Sequence, residues 1–157
     1  MFPQPGGGGH RTRARSSPPA HLEVYMSESD LPRQALDVLA RPNPAVIATV
    51  NAEGDPVTVA TWYLWENGQV LVNMDGGRAR LKHLRRDPRV SLTVLNDDDW
   101  YQHISLRGKV VRMADDPDLA DIDRLARHYL GKPYPDRDRP RVSAWIQVSS
   151  WHGWNMG

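Results

Sequence analysis

The chain has 157 residues, 39% of them hydrophobic and 25% charged, with 20 Lys and Arg against 19 Asp and Glu. That length supports one hydrophobic core of ordinary size, and a formal charge of +1 excludes a strongly basic nucleic-acid coat protein and an acidic solvating tail. The absence of cysteine rules out disulfide staples, thiolate metal sites and cysteine nucleophiles, and no apolar run approaches the ~18 residues of a membrane span.

Residues 1–26 read as a disordered leader, because Gly6–Gly9, Arg11, Arg13, Arg15, Pro18 and Pro19 offer almost nothing to bury. They contain no apolar segment of a secretory signal, so the expected address is cytoplasmic. The folded domain is expected over 27–157. Ser29 or Asp30 predicts the cap of a helix starting near Leu31, with Pro32 in its first turn. Arg41-Pro42-Asn43-Pro44 ends that helix. The β-branched run Ala45–Val50 predicts a strand, and Asn51–Asp55 turns the chain into a second one, Pro56 to Trp65, with apolar residues on both faces. Asn67-Gly68 is a hairpin signal, with Gln69–Met74 as the returning strand.

After Gly76-Gly77 the pattern predicts a helix over Arg78–Arg86, closed by Asp87-Pro88. A strand over Val90–Leu95, a polar turn at Asn96–Asp99 and a long strand over Trp100–Met113 follow, the last kinked or bulged at Gly108. Asp115-Asp116-Pro117 predicts the start of a helix reaching about Leu130, with its acids early as the helix dipole favours. Gly131–Pro135 breaks it, and Val142–Val148 is the last clear strand before Trp151, Gly153 and Trp154. Short connections between neighbouring strands predict an α+β, mainly β fold: a six-stranded antiparallel barrel with short helices.

Chemistry concentrates between Gly76 and Arg89, where six of the twelve residues Arg78–Arg89 are Lys or Arg. Two glycines free the backbone to approach a ligand, and the first N–H groups of a helix have no intrahelical partner. An anion fits there, drawn also by the helix dipole. On helical spacing Arg78 and Lys82 share a face, Leu81 and Leu84 point to the core, and Arg80 lies near the inner surface. Guanidinium and ammonium groups around a helix start make a phosphate clamp.

Three stretches resemble the pyridoxamine-5'-phosphate-oxidase-like family of flavin-binding split β-barrels, and within it the branch that uses the deazaflavin coenzyme F420. They are Ala48–Pro56 leading to Trp62-Tyr63, then Gly77–Val90, the most specific, and Arg107-Gly108-Lys109-Val110 with Gly153-Trp154. The resemblance implies that Arg78, Arg80 and Lys82 hold the cofactor's phosphate, although the usual lysine is replaced by Arg80 and the usual second arginine by Lys82. It implies that Val59, Ala60, Thr61 and Trp62 lie along the isoalloxazine-type ring, with Asn73 and Met74 beside the ring or ribityl chain. Arg85, Arg86 and Arg89 would receive the oligoglutamate tail of F420. It further implies an oxidoreductase moving a hydride between reduced F420 and an activated double bond of a planar small molecule, in a homodimer with cofactor at the interface. FMN chemistry on the same fold and non-catalytic binding of a flavin or F420 are the alternatives. No catalytic side chain stands out. Trp100 and Tyr101 are candidates for the dimer interface or for the core.

Other features read as structural. His103 reads as packing, and His83 as a solvent-facing residue of the basic helix. The six histidines show no zinc-ligand spacing. Asp97-Asp98-Asp99 lacks the glycine and distant glutamate of a calcium loop. Trp62, Trp65, Trp151 and Trp154 are candidates to wall a pocket for a flat ligand, or to fill core and interface. A nucleic-acid partner is not expected, because the folded part is close to neutral.

Overall fold

A computed structural model describes residues 25–156; all but the last two residues of the expected leader lie outside the described residues. Met26 belongs to the fold, donating its backbone N–H to the Val148 carbonyl at 2.8 Å and packing on the core.

A 3-10 turn at Glu28–Asp30 precedes α1 (Arg33–Leu39). The cap differs from expectation. The Asp30 carboxylate reaches back to the Ser27 N–H at 2.7 Å, and Pro32 stands as the N-cap of α1 instead of in its first turn. There follow β1 (Ala45–Val50), β2 (Pro56–Thr61), β3 (Leu64–Glu66), β4 (Gln69–Asp75), α2 (Ala79–Arg86), β5 (Arg89–Leu95), β6 (His103–Asp115), α3 (Ala120–Leu130) and β7 (Arg141–Trp154).

The strands form one antiparallel sheet in the order β2-β1-β5-β6-β7-β4-β3. Its end strands, β2 and β3, are joined by only Trp62 and Tyr63. A few residues of extended chain span little more than ~3.5 Å each. The two ends of the sheet must therefore meet, and the sheet curls into a split β-barrel, the mainly β antiparallel class that the sequence predicts. It has seven strands where six were expected, because the run Pro56 to Trp65 divides at that corner. The cause is tertiary. Tyr63 is fully buried, and its hydroxyl lies 3.0 Å from the Leu39 carbonyl and 3.2 Å from that of Arg41, groups left open at the end of α1. Burial pushes its phenol pKa well up.

The Asn67-Gly68 hairpin forms as expected, with φ of 52° and 73° at the two residues, the left-handed pair that a type I′ turn requires. The long strand β6 begins at His103, not Trp100. Backbone and side-chain bonds between Asn96 and Gln102, at 2.9 and 2.6 Å, close the turn first. Trp100 and Tyr101 are thereby left outside, 59% and 60% exposed and stacked on each other at 4.4 Å, so neither is a core residue. The last strand runs beyond Val148 to Trp154 because β6 pairs with it along its whole length. The pairing shifts register at Gly108, where a Cβ would run into the Gln147 carbonyl, so only glycine fits. Helix α3 starts at Ala120, later than predicted, because Leu119 takes a left-handed φ of 57° and Asp116 caps from outside, accepting from the Asp121 and Ile122 N–H groups at 3.2 and 3.0 Å.

The core fills the barrel with Ile47, Val70, Val72, Leu92, Ile104, Leu106 and Ala144, and α1 and α2 cover it with Val38, Leu39, Leu81 and Leu84. Along β2 the cover stops. Ile47 and Thr49 of β1 are buried, yet their same-face partners Val59 and Val57 on β2 are 46% and 39% exposed. An inward-facing apolar surface without cover is a groove, and the chemically distinctive side chains gather around it.

Candidate anion and planar-ligand groove

The groove has two lobes. One, about 480 Å³, lies between β2 and the start of α2; the other, about 580 Å³, lies between β2 and the α3–β7 region. Ala60, Arg80, Tyr134 and Arg141 line both and mark the junction. Each lobe is within the size range of small-molecule sites.

The helix lobe is built by the turn from β4 into α2. Asp75 closes that turn through its side chain, which accepts the Gly77 N–H at 2.8 Å, and its carbonyl, which accepts the Arg78 N–H at 3.1 Å. A second bond, from Gly76 N–H to the Pro140 carbonyl at 2.9 Å, fastens the turn to the segment before β7. The Gly77 N–H and then Arg139 hold the Asp75 carboxyl below its ordinary pKa, so it is ionised and already engaged. The N-cap of α2 is Arg78, which makes no side-chain cap bond; a guanidinium has no acceptor to offer. The helix start is left positive, with Arg78 beside it.

Arg80 carries the most telling geometry. Its Nε and Nη1 are buried and have no hydrogen-bond partner. Burial, and then the cations of Arg78 and Arg141, push its pKa down, although an arginine stays protonated in proteins. Buried guanidinium nitrogens without a partner are costly, and an anion reaching them from the groove would remove that cost.

The aromatic lobe is walled by Trp62, Tyr129 and Tyr134. Trp62 stacks on Tyr129 with ring centroids 5.2 Å apart and meets Tyr134 edge-on at 6.1 Å. Arg141 lies over the Tyr134 ring at 4.8 Å, a cation–π contact, and donates from Nε to Asn73 Oδ1 at 2.7 Å. Asn73 in turn donates to Asp116 at 3.1 Å and to Ser143 at 3.1 Å, and Ser143 donates to Asp121 at 2.7 Å.

Of the sequence-predicted site residues, the structure gathers Val59, Ala60, Thr61, Trp62, Asn73, Met74, Arg78 and Arg80 around this groove. Lys82 is not among them: it is exposed, because α2 turns its Leu81 and Leu84 to the core. His83, expected to face solvent, is half-buried at the helix lobe with Nδ1 2.9 Å from Thr49 Oγ1. Of the four tryptophans considered as pocket walls, only Trp62 lines the groove; Trp65 and Trp151 pack on the core and Trp154 is exposed. Sequence reasoning missed Tyr134 and Arg141. The one signal was Pro133-Tyr134-Pro135, which reads as a helix stop and nothing more. Among the described residues no three His, Asp or Glu side chains cluster to hold a metal, and no helix is long and apolar enough to cross a membrane.

The fold is an antiparallel split barrel in which a cationic helix start faces an uncovered strand. Residues 31–155 match the model of the pyridoxamine 5'-phosphate oxidase family, and the chain belongs to that family. Among solved structures it is similar to an F420 reductase at 25% identity, over 78% of this chain and 98% of that one, with a TM-score of 0.71. It is also similar to a conserved hypothetical protein from Mycobacterium tuberculosis at 22% identity, over 91% and 89% of the two chains, TM-score 0.61. A third likeness is to a putative pyridoxamine 5'-phosphate oxidase from Listeria innocua at 15% identity, over 76% and 94%, TM-score 0.55. The last two concern the fold alone. A search of curated proteins finds no match.

Proposed function

We propose that the chain is an F420-dependent oxidoreductase acting on an activated double bond of a planar small molecule. The observation that carries the reading is Arg80, whose buried Nε and Nη1 have no partner in a groove that Arg78 and the start of α2 also make positive. A phosphate is the anion whose charge and oxygen geometry suit two guanidiniums and open backbone N–H groups. Arg78 and Arg80 would hold it, with Val59, Ala60, Thr61 and Trp62 along the cofactor ring and Asn73 and Met74 behind. The cofactor, when bound, supplies the hydride chemistry. This chain's residues bind and orient, with Trp62, Tyr129 and Tyr134 walling one end of the groove.

The likeness to an F420 reductase supports the deazaflavin over other cofactors. The second reading is FMN on the same fold, which membership of the oxidase family supports and which the same phosphate clamp would serve. The protein would act in the cytoplasm as a homodimer, with the exposed stacked pair Trp100 and Tyr101 at the interface.

Fluorescence titration of the purified chain with F420 and with FMN tests the reading, alongside Arg78→Ala and Arg80→Ala. Expected are micromolar binding of F420, weaker binding of FMN and at least a tenfold loss in each variant. Tighter binding of FMN moves the assignment to the second reading. Binding of neither overturns both.

A further inference from the structure

We infer that His83 is a third arm of the anion clamp, one that donates through Nε2–H and takes up a proton from solvent when a tetrahedral dianion enters. This rests on the anion site of the reading above, whichever cofactor brings the phosphate. His83 follows Arg80 by three residues and Ala79 by four, so it shares their face of α2 one turn further on. All three line the helix lobe, together with Arg78 and Thr49. Helix side chains lean towards the N-terminus, which carries the half-buried imidazole back towards the turn of Arg80. The later cations of the helix are placed differently. Lys82 and Arg85 are exposed and line neither lobe, and Arg86 donates to the Val50 carbonyl at 3.4 Å.

The bond to β1 fixes which nitrogen is left for a ligand. Thr49 is buried, and among the described residues its hydroxyl has one partner, His83 Nδ1 at 2.9 Å. A buried hydroxyl needs an acceptor for its proton, and the Nδ1 of a neutral imidazole is the acceptor at hand. The ring proton then lies on Nε2, which has no hydrogen-bond partner among the described residues. That N–H is open to an oxyanion.

The charges around the ring give the direction of the proton. Arg78 and Arg80 come from α2, Arg141 from β7, and Asp75 from β4, its carboxylate engaged with the Gly77 N–H and Arg139. Tyr134 is the other titratable group of the lobe, and the β1 and β2 residues that line it carry no charge. Three guanidiniums against one carboxylate leave the lobe positive; a dianion makes room for the charge of an imidazolium. In that form both ring nitrogens donate, Nε2 to the anion and Nδ1 to the Thr49 oxygen. Thr49 has only to turn its hydroxyl from donor to acceptor. Binding and proton uptake are thus linked, and affinity falls as pH rises.

Sulfate is the probe, because it stays a dianion from pH 5.5 to 8.5 where phosphate titrates. Its binding to the full chain is measured at constant ionic strength in wild type, His83→Gln and Arg80→Met, each checked for folding by circular dichroism. Arginines keep their charge over this range, and Asp75, held below its ordinary pKa, stays ionised. Wild type is expected to bind sulfate at least fivefold tighter at pH 5.5 than at 8.5. His83→Gln, which keeps an N–H donor without a titrating group, is flat within twofold. Arg80→Met loses at least tenfold at both pH values. Imidazole NMR of the wild type reads the same linkage, since a fivefold ratio requires the His83 midpoint to rise by at least about 0.7 pH unit on saturation. A flat wild-type profile, a slope that survives in His83→Gln, or an unmoved His83 midpoint overturns the role of His83 and leaves the clamp of Arg78 and Arg80 standing. No sulfate binding at either pH overturns the clamp and His83 together.

Discussion

Two polar clusters flank the groove, and they are built on opposite principles. On the β7 side, Asn73, Asp116, Ser143 and Arg141 interlock, and every bond of Asn73 is matched by an acceptor or donor of the right kind. On the α2 side, Arg80 buries two nitrogen atoms with nothing to bond. Both clusters are sheltered from water, where an unmatched polar atom costs about 1–3 kcal/mol and an unmatched charge more. The first cluster is therefore scaffold, complete in the protein alone. In the second, two guanidinium nitrogens are left without a partner. Completeness of bonding, more than residue type, separates the two, since an arginine belongs to each.

Breaking the finished cluster should have the largest effect. Asp116→Ala removes the acceptor of Asn73 Nδ2 and of two N–H groups at the start of α3. Urea unfolding is expected to show a loss of about 3 kcal/mol. A loss under 1 kcal/mol would mean that water replaces the carboxylate without cost.

The unfinished cluster should respond with the opposite sign. Arg80→Met keeps an unbranched apolar stem and removes the unpaired charge. The ligand-free protein is expected to gain about 1–2 kcal/mol in the same unfolding assay, while cofactor affinity drops at least tenfold. Destabilisation by Arg80→Met would show that the guanidinium is satisfied by solvent.

A third cation at the far end of α2 supplies a matched pair near solvent. Arg89 donates to Asp87 at 2.7 Å and holds that carboxyl at about 2, against an ordinary 3.8. A folded-state value below the unfolded one means stability that is fully present above pH 3.8 and is lost as pH falls towards 2. Asp87→Asn is expected to flatten the acid limb of the stability profile in that window and to lower stability at neutral pH, leaving it unchanged below pH 2. Carboxyl NMR of the wild type checks the midpoint directly.

Lys82→Met should do least. The residue is exposed and outside both lobes. Stability within 0.5 kcal/mol of wild type, a rough figure for surface changes, and cofactor affinity within threefold are expected. A larger loss of affinity would return Lys82 to the clamp.

The sequence was most informative where local chemistry decides the outcome. Asn67-Gly68 marked its turn because left-handed φ at two successive residues suits few other pairs. Gly77, Arg78 and Arg80 read together as a candidate anion site because a helix start and its cations are neighbours in the chain. It was silent where distant segments decide. The break between β2 and β3 depends on the Tyr63 hydroxyl finding carbonyls more than twenty residues away, and alternation continues through it unbroken. Arg141 reaches the groove because β7 pairs with β4 and brings it opposite Asp75, and Tyr134 because its N–H bonds Asp123 of α3. Lys82 stays outside the two lobes for a related reason. Helical spacing from Arg78 places the two together only if Arg78 is helical, and it is the N-cap.

The position of β2 has a dynamic corollary. Among the described residues it is hydrogen-bonded to β1 alone, and its inner valines carry no protein cover. A strand held on one side and bare on one face opens more readily than the rest of its sheet. Its amides should exchange with deuterium ahead of those of β5 and β6, and a ligand in the groove should slow them. Occupancy of the groove is then recorded in how long one edge of the barrel stays closed.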